Sequence, residues 1–487
     1  MVKRTPSSLG RFLWFSFVWA FFGFSPALVP TAFAQSQGII GARAALNGLS
    51  AESHAIASAA DLTGTGEAAT LTFTLSAPVE ASAFVLGQPD RVIIDLPAVS
   101  FELDPETGKP LKPEARRKGM TRSGHLVDSF RFGSFASGRS RIVIDLSGPA
   151  RVVKTEVVQV SGKDGFQLII QLAKTDRDTF EAAVQAARSI REAAPVNAPA
   201  AAIETRASSP ATLPRIVLDP GHGGVDSGAM ANGLIEKTIV LDFAKALAAK
   251  LIATGRYDVV MTRDDDTFIS LGERVKMARD RDAALFVSIH ADTLSEADVT
   301  GATVYTVSNK ASDSEAARVA EKENLSDSAA GVEGKDEANG ISDILFDLTR
   351  RETRTYSHVF AHTLANYWKV AARLNKNPER SAGFKVLTAP DVPSVLLELG
   401  YLSNEKDAAA LNSPDWRDKA TAQVANAIEN YFSARGVASE KAVPGETAVD
   451  VPIAVNPASE PDTASPGATV VSDAKPLSLS HSTAGAH

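Results

Sequence analysis

The sequence predicts an α/β domain, a mainly parallel sheet covered by helices, preceded by an all-β domain. Two observations carry that reading. Between residues 214 and 435, short continuous apolar runs alternate with long stripes of helical period. This is the pattern of strands buried on both faces by crossover helices. Between residues 37 and 175, alternating segments of strand length recur. The length of 487 residues also asks for more than one core.

At the N-terminus, Lys3 and Arg4 precede an apolar run from Phe12 to Phe24, and Ala32-Phe33-Ala34 supplies small residues around a cleavage point. Residues 1–34 are therefore expected to be a signal peptide cut before Gln35. The run is short for a membrane span and is closely followed by Pro26 and Pro30, so the mature protein is expected to have no membrane span. It should work in the periplasm or outside the cell. A net charge of -8 argues against nucleic acid as a partner, because phosphate binding needs a basic surface. The chain has no cysteine, which excludes disulfides, thiolate metal sites and cysteine nucleophiles.

The β region comes next. Leu71, Phe73 and Leu75 alternate with threonines, as in a half-buried strand. Arg91-Val-Ile-Ile-Asp-Leu96 and Arg141-Ile-Val-Ile-Asp-Leu146 are near copies, an echo that predicts two related β units packed face to face. Phe166 to Leu172 supplies a further strand. The segments Val92-Ile-Ile-Asp-Leu-Pro97 and Phe130-Arg-Phe-Gly-Ser-Phe135 resemble the AMIN domain. That resemblance implies a β-sandwich over residues 37–175. Residues 176–213 turn to Ala, Pro and Ser, as in Ala194-Pro-Val-Asn-Ala-Pro-Ala-Ala201, and read as an extended linker containing a short helix over Thr179–Ala193. Residues 436–487 return to that composition and are expected to be a disordered tail.

In the α/β region, Ile216-Val-Leu218 is a buried strand, and Glu236 to Ala253 is a helix striped by Ile239, Val240, Phe243, Leu247 and Leu251. Tyr257 to Met261 is the next strand. Ser270-Leu-Gly-Glu273 is a capping box that starts a second helix. Leu285 to Ile289 and Val395 to Leu397 are further strands.

Ligands in such a sheet gather beyond the carboxyl ends of the strands. There the sequence places His222, in Asp219-Pro-Gly-His-Gly-Gly224, and His290, in Ser288-Ile-His-Ala-Asp292. Glu398 ends a strand, in Leu396-Leu-Glu-Leu-Gly-Tyr401, and Glu236 opens the first long helix. Two neutral imidazoles and a carboxylate suit one catalytic Zn2+ with a position left for water. Taken alone, His222 fits a satisfied loop histidine and Glu398 fits a partner for a buried arginine. Three strand ends carrying His, His and Glu are harder to explain by packing.

Ile216-Val-Leu-Asp-Pro-Gly-His-Gly-Gly224, Glu236, Ser288-Ile-His-Ala-Asp292 and Leu397-Glu-Leu-Gly-Tyr-Leu-Ser-Asn404 resemble zinc-dependent N-acetylmuramoyl-L-alanine amidases, in order over residues 214–435. The resemblance implies zinc on His222, Glu236 and His290, with Glu398 as the catalytic carboxylate. The substrate it implies is peptidoglycan, cut at the amide joining N-acetylmuramic acid to L-alanine. Together with the AMIN likeness it points to Gram-negative division enzymes, which split septal wall. Thr262-Arg263 and Arg274 match the same pattern and are candidates to orient substrate or to form structural ion pairs. Asp219 is a candidate to orient a ligand imidazole or to cap its loop.

Residues 311–354 exceed what a strand-to-helix connection needs. Glu315 to Asn324 reads as a helix and resembles the inserted element that occludes division amidases until an activator protein displaces it. Glu315, Glu321 and Glu323 are its candidates for closing the fourth zinc position, against a plain solvated acidic face. His358 and His362 lie four apart but read as part of an ordinary amphipathic helix. The competing functions are a zinc carboxypeptidase acting on stem peptides and an inert wall-binding scaffold.

Overall fold

The computed structural model describes residues 54–104, 107–109, 125–160, 165–193, 213–332 and 344–436. The expected signal peptide, the Ala/Pro-rich stretch 194–212, residues 333–343 of the insertion and the tail beyond 436 lie outside the described residues.

Nine strands build the first unit: β1 (Ala55–Gly64), β2 (Ala68–Leu75), β3 (Ser82–Leu86), β4 (Arg91–Pro97), β5 (Val99–Phe101), β6 (Val127–Ala136), β7 (Arg139–Leu146), β8 (Ala150–Gln159) and β9 (Phe166–Lys174). They form a five-stranded sheet, β5-β1-β2-β9-β8, and a four-stranded sheet, β3-β4-β7-β6. The alternation seen in the sequence points Leu71, Phe73 and Leu75 of β2 at Val92, Ile94, Ile142 and Ile144 of the other sheet, closing one core.

The near-copied segments are not packed face to face. They are β4 and β7, antiparallel neighbours in one sheet, paired Arg91 to Asp145, Ile93 to Val143 and Asp95 to Arg141. The shared pattern sets opposite charges across from each other, a favourable cross-strand arrangement; Arg141 and Asp95 meet at 2.6 Å. The helix expected over Thr179–Ala193 forms, but it belongs to the sandwich rather than to a linker. It spans Arg177–Ala193 (α1) and packs on the sandwich, because Phe180 and Val184, one turn apart, bury into that core.

The second unit runs β10 (Arg215–Pro220), the short hairpin β11 (Met230–Ala231) and β12 (Leu234–Ile235), α2 (Glu236–Ala253), β13 (Asp258–Met261), α3 (Leu271–Asp280) and β14 (Leu285–His290). There follow β15 (Ala302–Val307), α4 (Ser314–Glu323), α5 (Ser326–Ala329), α6 (Ile344–Ala371), β16 (Leu374–Ala382), β17 (Ser394–Glu398), α7 (Glu405–Leu411) and α8 (Pro414–Ala434). The sheet order is β13-β10-β14-β17-β15-β16. The first four strands are parallel, β15 runs against β17, and β16 is parallel to β15.

Both faces of this sheet are covered. Ile216 and Leu218 pack toward Phe243, Phe360, Trp368 and Tyr431 of α2, α6 and α8. Val217, between them, packs on the other face with Leu271, Val319 and Phe384. Ser270 caps α3 in a capping box with Glu273, as its sequence indicates. Among the described residues no helix is long and apolar enough to cross a membrane.

Candidate metal centre

Because β10, β14 and β17 are parallel neighbours, their carboxyl ends share one edge of the sheet. His290 is the last residue of β14 and stands in register with Glu398, the last of β17. His222 lies in the turn after β10 with a left-handed backbone, φ 58°. A Cβ at Gly221 would sit 2.4 Å from the His290 ring, so only glycine lets this turn lie against the imidazole.

The ring atoms converge on carboxylates. His222 Nε2 is 3.2 Å from Glu236 Oε2, and His290 Nδ1 is 3.2 Å from Glu236 Oε1. Glu323, at the end of α4, places Oε2 at 3.4 Å from His222 Nε2 and 3.1 Å from His290 Nδ1. One ligand atom from each of these four buried residues lies within 4.8 Å of all the others. His222 Nε2 makes no hydrogen bond although it is buried. Two imidazoles and a carboxylate converging around an unsatisfied nitrogen are a donor set that can hold a divalent metal.

Neighbouring groups fix these donors. His222 Nδ1 lies 2.9 Å from Asp226 Oδ2, which points Nε2 inward. Glu236 accepts from the backbone N–H of Ala229 at 2.7 Å and of Ala291 at 2.9 Å. Electrostatics reflect the crowding. Burial pushes the His290 imidazole down, but the Glu323 and Glu236 carboxylates outweigh it and lift it to about 10. Burial raises Glu236, yet the two imidazoles hold it well below the usual carboxylate range. The site demands positive charge between its carboxylates, which a cation supplies as readily as a proton.

Glu398 is fully buried beside this cluster. One oxygen accepts from Asp292 N–H at 3.1 Å, and the other has no hydrogen-bond partner. Burial is the main force raising its proton affinity well above the usual range; His290 opposes this, while Asp292, Glu236 and Glu323 add to it. Among the described residues no arginine pairs with Glu398, so the buried-arginine alternative has no counterpart here.

Asp219 does not reach an imidazole. It accepts from Thr262 at 2.6 Å, Arg274 at 2.7 Å and Ser288 at 2.8 Å, and the orienting place falls to Asp226. Arg263 and Arg274 are both buried and bonded to backbone carbonyls. Arg263 donates to the carbonyls of Pro220, Gly221 and Lys237, and Arg274 to those of Pro220, His222 and Ile269. Their forks stitch the turn that carries His222, whose carbonyls would otherwise be buried unpaired.

Of the three candidate glutamates Glu315, Glu321 and Glu323, only Glu323 enters the cluster. Glu315 pairs with Arg380 at 2.9 Å, and Glu321 is exposed. His358 lies near Thr306 and His362 near Glu379, so the two share no site. Sequence reasoning missed three contributors: Asp226, Asp292, which Lys322 of α4 contacts, and Ser326, whose hydroxyl donates to Asp226. Asp226, a carboxylate four residues past His222 in a glycine-rich turn, carried a usable signal; Ser326 carried none.

Residues 216–430 match the family described as N-acetylmuramoyl-L-alanine amidase, and residues 59–172 match the AMIN domain. The chain is 37% identical over 219 residues to N-acetylmuramoyl-L-alanine amidase AmiA of Salmonella typhimurium, covering 45% of this chain and 75% of that protein. To N-acetylmuramoyl-L-alanine amidase AmiC of Neisseria meningitidis serogroup B it is 29% identical over 371 residues, covering 74% and 86%. Among solved structures, the catalytic domain of CwlV, an N-acetylmuramoyl-L-alanine amidase from Bacillus (Paenibacillus) polymyxa var. colistinus, aligns at 28% identity over 45% of this chain and 99% of that one, with a TM-score of 0.34.

Proposed function

The chain belongs to the family of AMIN-containing N-acetylmuramoyl-L-alanine amidases, and from that premise we propose how its own residues hydrolyse the amide between N-acetylmuramic acid and L-alanine. The observation that carries the proposal is the convergence of His222, Glu236 and His290 on one point with Glu398 alongside. His222, Glu236 and His290 hold a single zinc ion. When bound, zinc supplies a Lewis acid that acidifies water and draws electron density from the scissile carbonyl. Asp226 keeps His222 in the orientation that offers Nε2. Glu398 takes the proton from the attacking water and returns it to the departing amine of L-alanine, a task suited to a carboxylate with raised proton affinity.

Glu323 acts as a plug. Its Oε2 faces both imidazoles, at 3.1 and 3.4 Å, where the water and the substrate carbonyl need room. Activity then requires α4 to withdraw, the task of an activator protein. The enzyme works on peptidoglycan in the periplasm after export by the segment 1–34, and it splits septal wall so that daughter cells separate. The AMIN domain and the resemblance to division amidases support that placement.

Digestion of purified peptidoglycan by Glu323→Ala, with product masses recorded, tests the chemistry. Free stem peptides beginning with L-alanine, lost on adding a chelator or Glu398→Ala, are expected. Shortened stem peptides would make the protein a peptidase, and no products at all would leave a scaffold.

A further inference from the structure

We propose that the four-stranded sheet of the AMIN sandwich is a latch that holds the plug segment over the metal centre; this rests on the reading of Glu323 as a plug. The outward face of that sheet is apolar at its middle. Leu86, Ile93 and Val143 cluster with Val225 of the His222 turn, Phe268 ahead of α3 and Ala330 at the end of α5. Ile93 and Val143 are both 0% exposed, although they point away from the sandwich core.

Three arginines on this face grip consecutive carbonyls. Arg91 donates to Ser328, Arg131 to Ala329 at 2.7 Å, and Arg141 to Ala330 at 3.1 Å and Gly331 at 3.2 Å. The forks are pre-set, since Asp145 holds Arg131 at 2.8 Å and Asp95 holds Arg141 at 2.6 Å. The echoed Arg and Asp of β4 and β7, together with Arg131 of β6, therefore build a carbonyl clamp. A helix of a single turn, such as α5, leaves its last carbonyls unsatisfied and has little stability of its own. The sandwich supplies donors to Ala329, Ala330 and Gly331, and a second one to Ser328, which also accepts from Gly331 N–H at 3.0 Å. A Cβ at Gly331 would lie 2.5 Å from Ile93 Cδ1, so the two surfaces meet as closely as glycine permits.

The same sheet also holds the fixed side of the site. Val225 N–H donates to Ser134 of β6 at 2.9 Å, and Phe135 stacks on Phe268 with centroids 5.9 Å apart. One rigid face thus spans the His222 turn and the end of the plug, clamping one against the other. Ser326, within the clamped segment, bonds Asp226 and ties the plug to the group that orients His222. A force or partner that lifts the sandwich releases Glu323 without touching the metal centre.

The test uses the full-length chain carrying Arg131→Ala with Arg141→Ala, and separately Phe135→Ala, whose ring lies on the interface rather than in the sandwich core. Hydrogen exchange over residues 314–332 and digestion of purified peptidoglycan are both measured. The latch predicts faster exchange in that segment, unchanged protection in β2 and β9, and digestion raised about tenfold, as expected when a scarce open state becomes populated. Should the double variant lose protection in β2 and β9, Phe135→Ala decides by the same criteria. Unchanged exchange in 314–332 overturns the latch. Faster exchange with unchanged digestion also overturns it, provided Glu323→Ala digests faster. Unchanged digestion by Glu323→Ala removes the plug itself, and with it the premise.

Discussion

The strand-end framework and the inserted α4–α5 segment each bring a carboxylate to the same two imidazoles, but they hold it differently. Glu236 is gripped by two backbone N–H groups and sits at the head of an 18-residue helix packed into the main core. Glu323 has one oxygen with no hydrogen-bond partner and hangs from a ten-residue helix. Glu236 and its helix are braced from within their own domain; the end of the inserted segment is gripped by arginines of the other domain. On the proposed reading, in which Glu236 is a permanent ligand and Glu323 a removable one, the two differ less in what they touch than in what stands behind them.

Several substitutions would break or sharpen that contrast. The largest effect is expected at the framework's reacting group. Glu398→Ala, made in the Glu323→Ala background, should lower peptidoglycan digestion by about 10²–10⁴-fold without loss of bound zinc. Next comes the bracing: Arg274→Ala would leave Asp219 charged and buried, and should cost about 3–5 kcal/mol of stability by denaturant unfolding. A smaller change would mean that the turn is held chiefly by Arg263. Asp226→Ala should weaken zinc binding by about 10–100-fold, read by competition with a chelator, since His222 loses its orienting partner. The smallest effect belongs to the insertion. Ser326→Ala removes one hydrogen bond worth about 1 kcal/mol and should raise basal digestion by about fivefold.

The framework was far more legible in the sequence than the insertion, and the reason is physical. Strands buried on both faces must be continuously apolar, so Ile216 to Leu218 and Leu285 to Ile289 announce themselves, and polar residues at their ends stand out. His222, His290 and Glu398 could be placed together on that basis, and Glu236, at the head of a helix, joins them through the family resemblance. Sequence reasoning names Asp219 for the orienting place and overlooks Asp226, because which carboxylate reaches the imidazole depends on the path of a glycine turn and on buried Arg274 claiming Asp219. Period-two patterning tells which face a residue takes but not which strand is its neighbour. For that reason the echo of Arg91–Leu96 in Arg141–Leu146 revealed the pattern of β4 and β7 while their side-by-side pairing stayed hidden. Glu315, Glu321 and Glu323 look alike in sequence; only the docking of α4 decides that the last of them faces the imidazoles.

The central claim is that Glu323 is a displaceable fourth ligand over an otherwise complete site. Its most direct test is the rate at which purified Glu323→Ala and unaltered protein, both zinc-loaded and without any activator, release stem peptides from purified peptidoglycan. The account predicts that the variant is faster by at least about tenfold, equivalent to about 1.4 kcal/mol. Equal rates, or a slower variant that still retains its zinc, would contradict it.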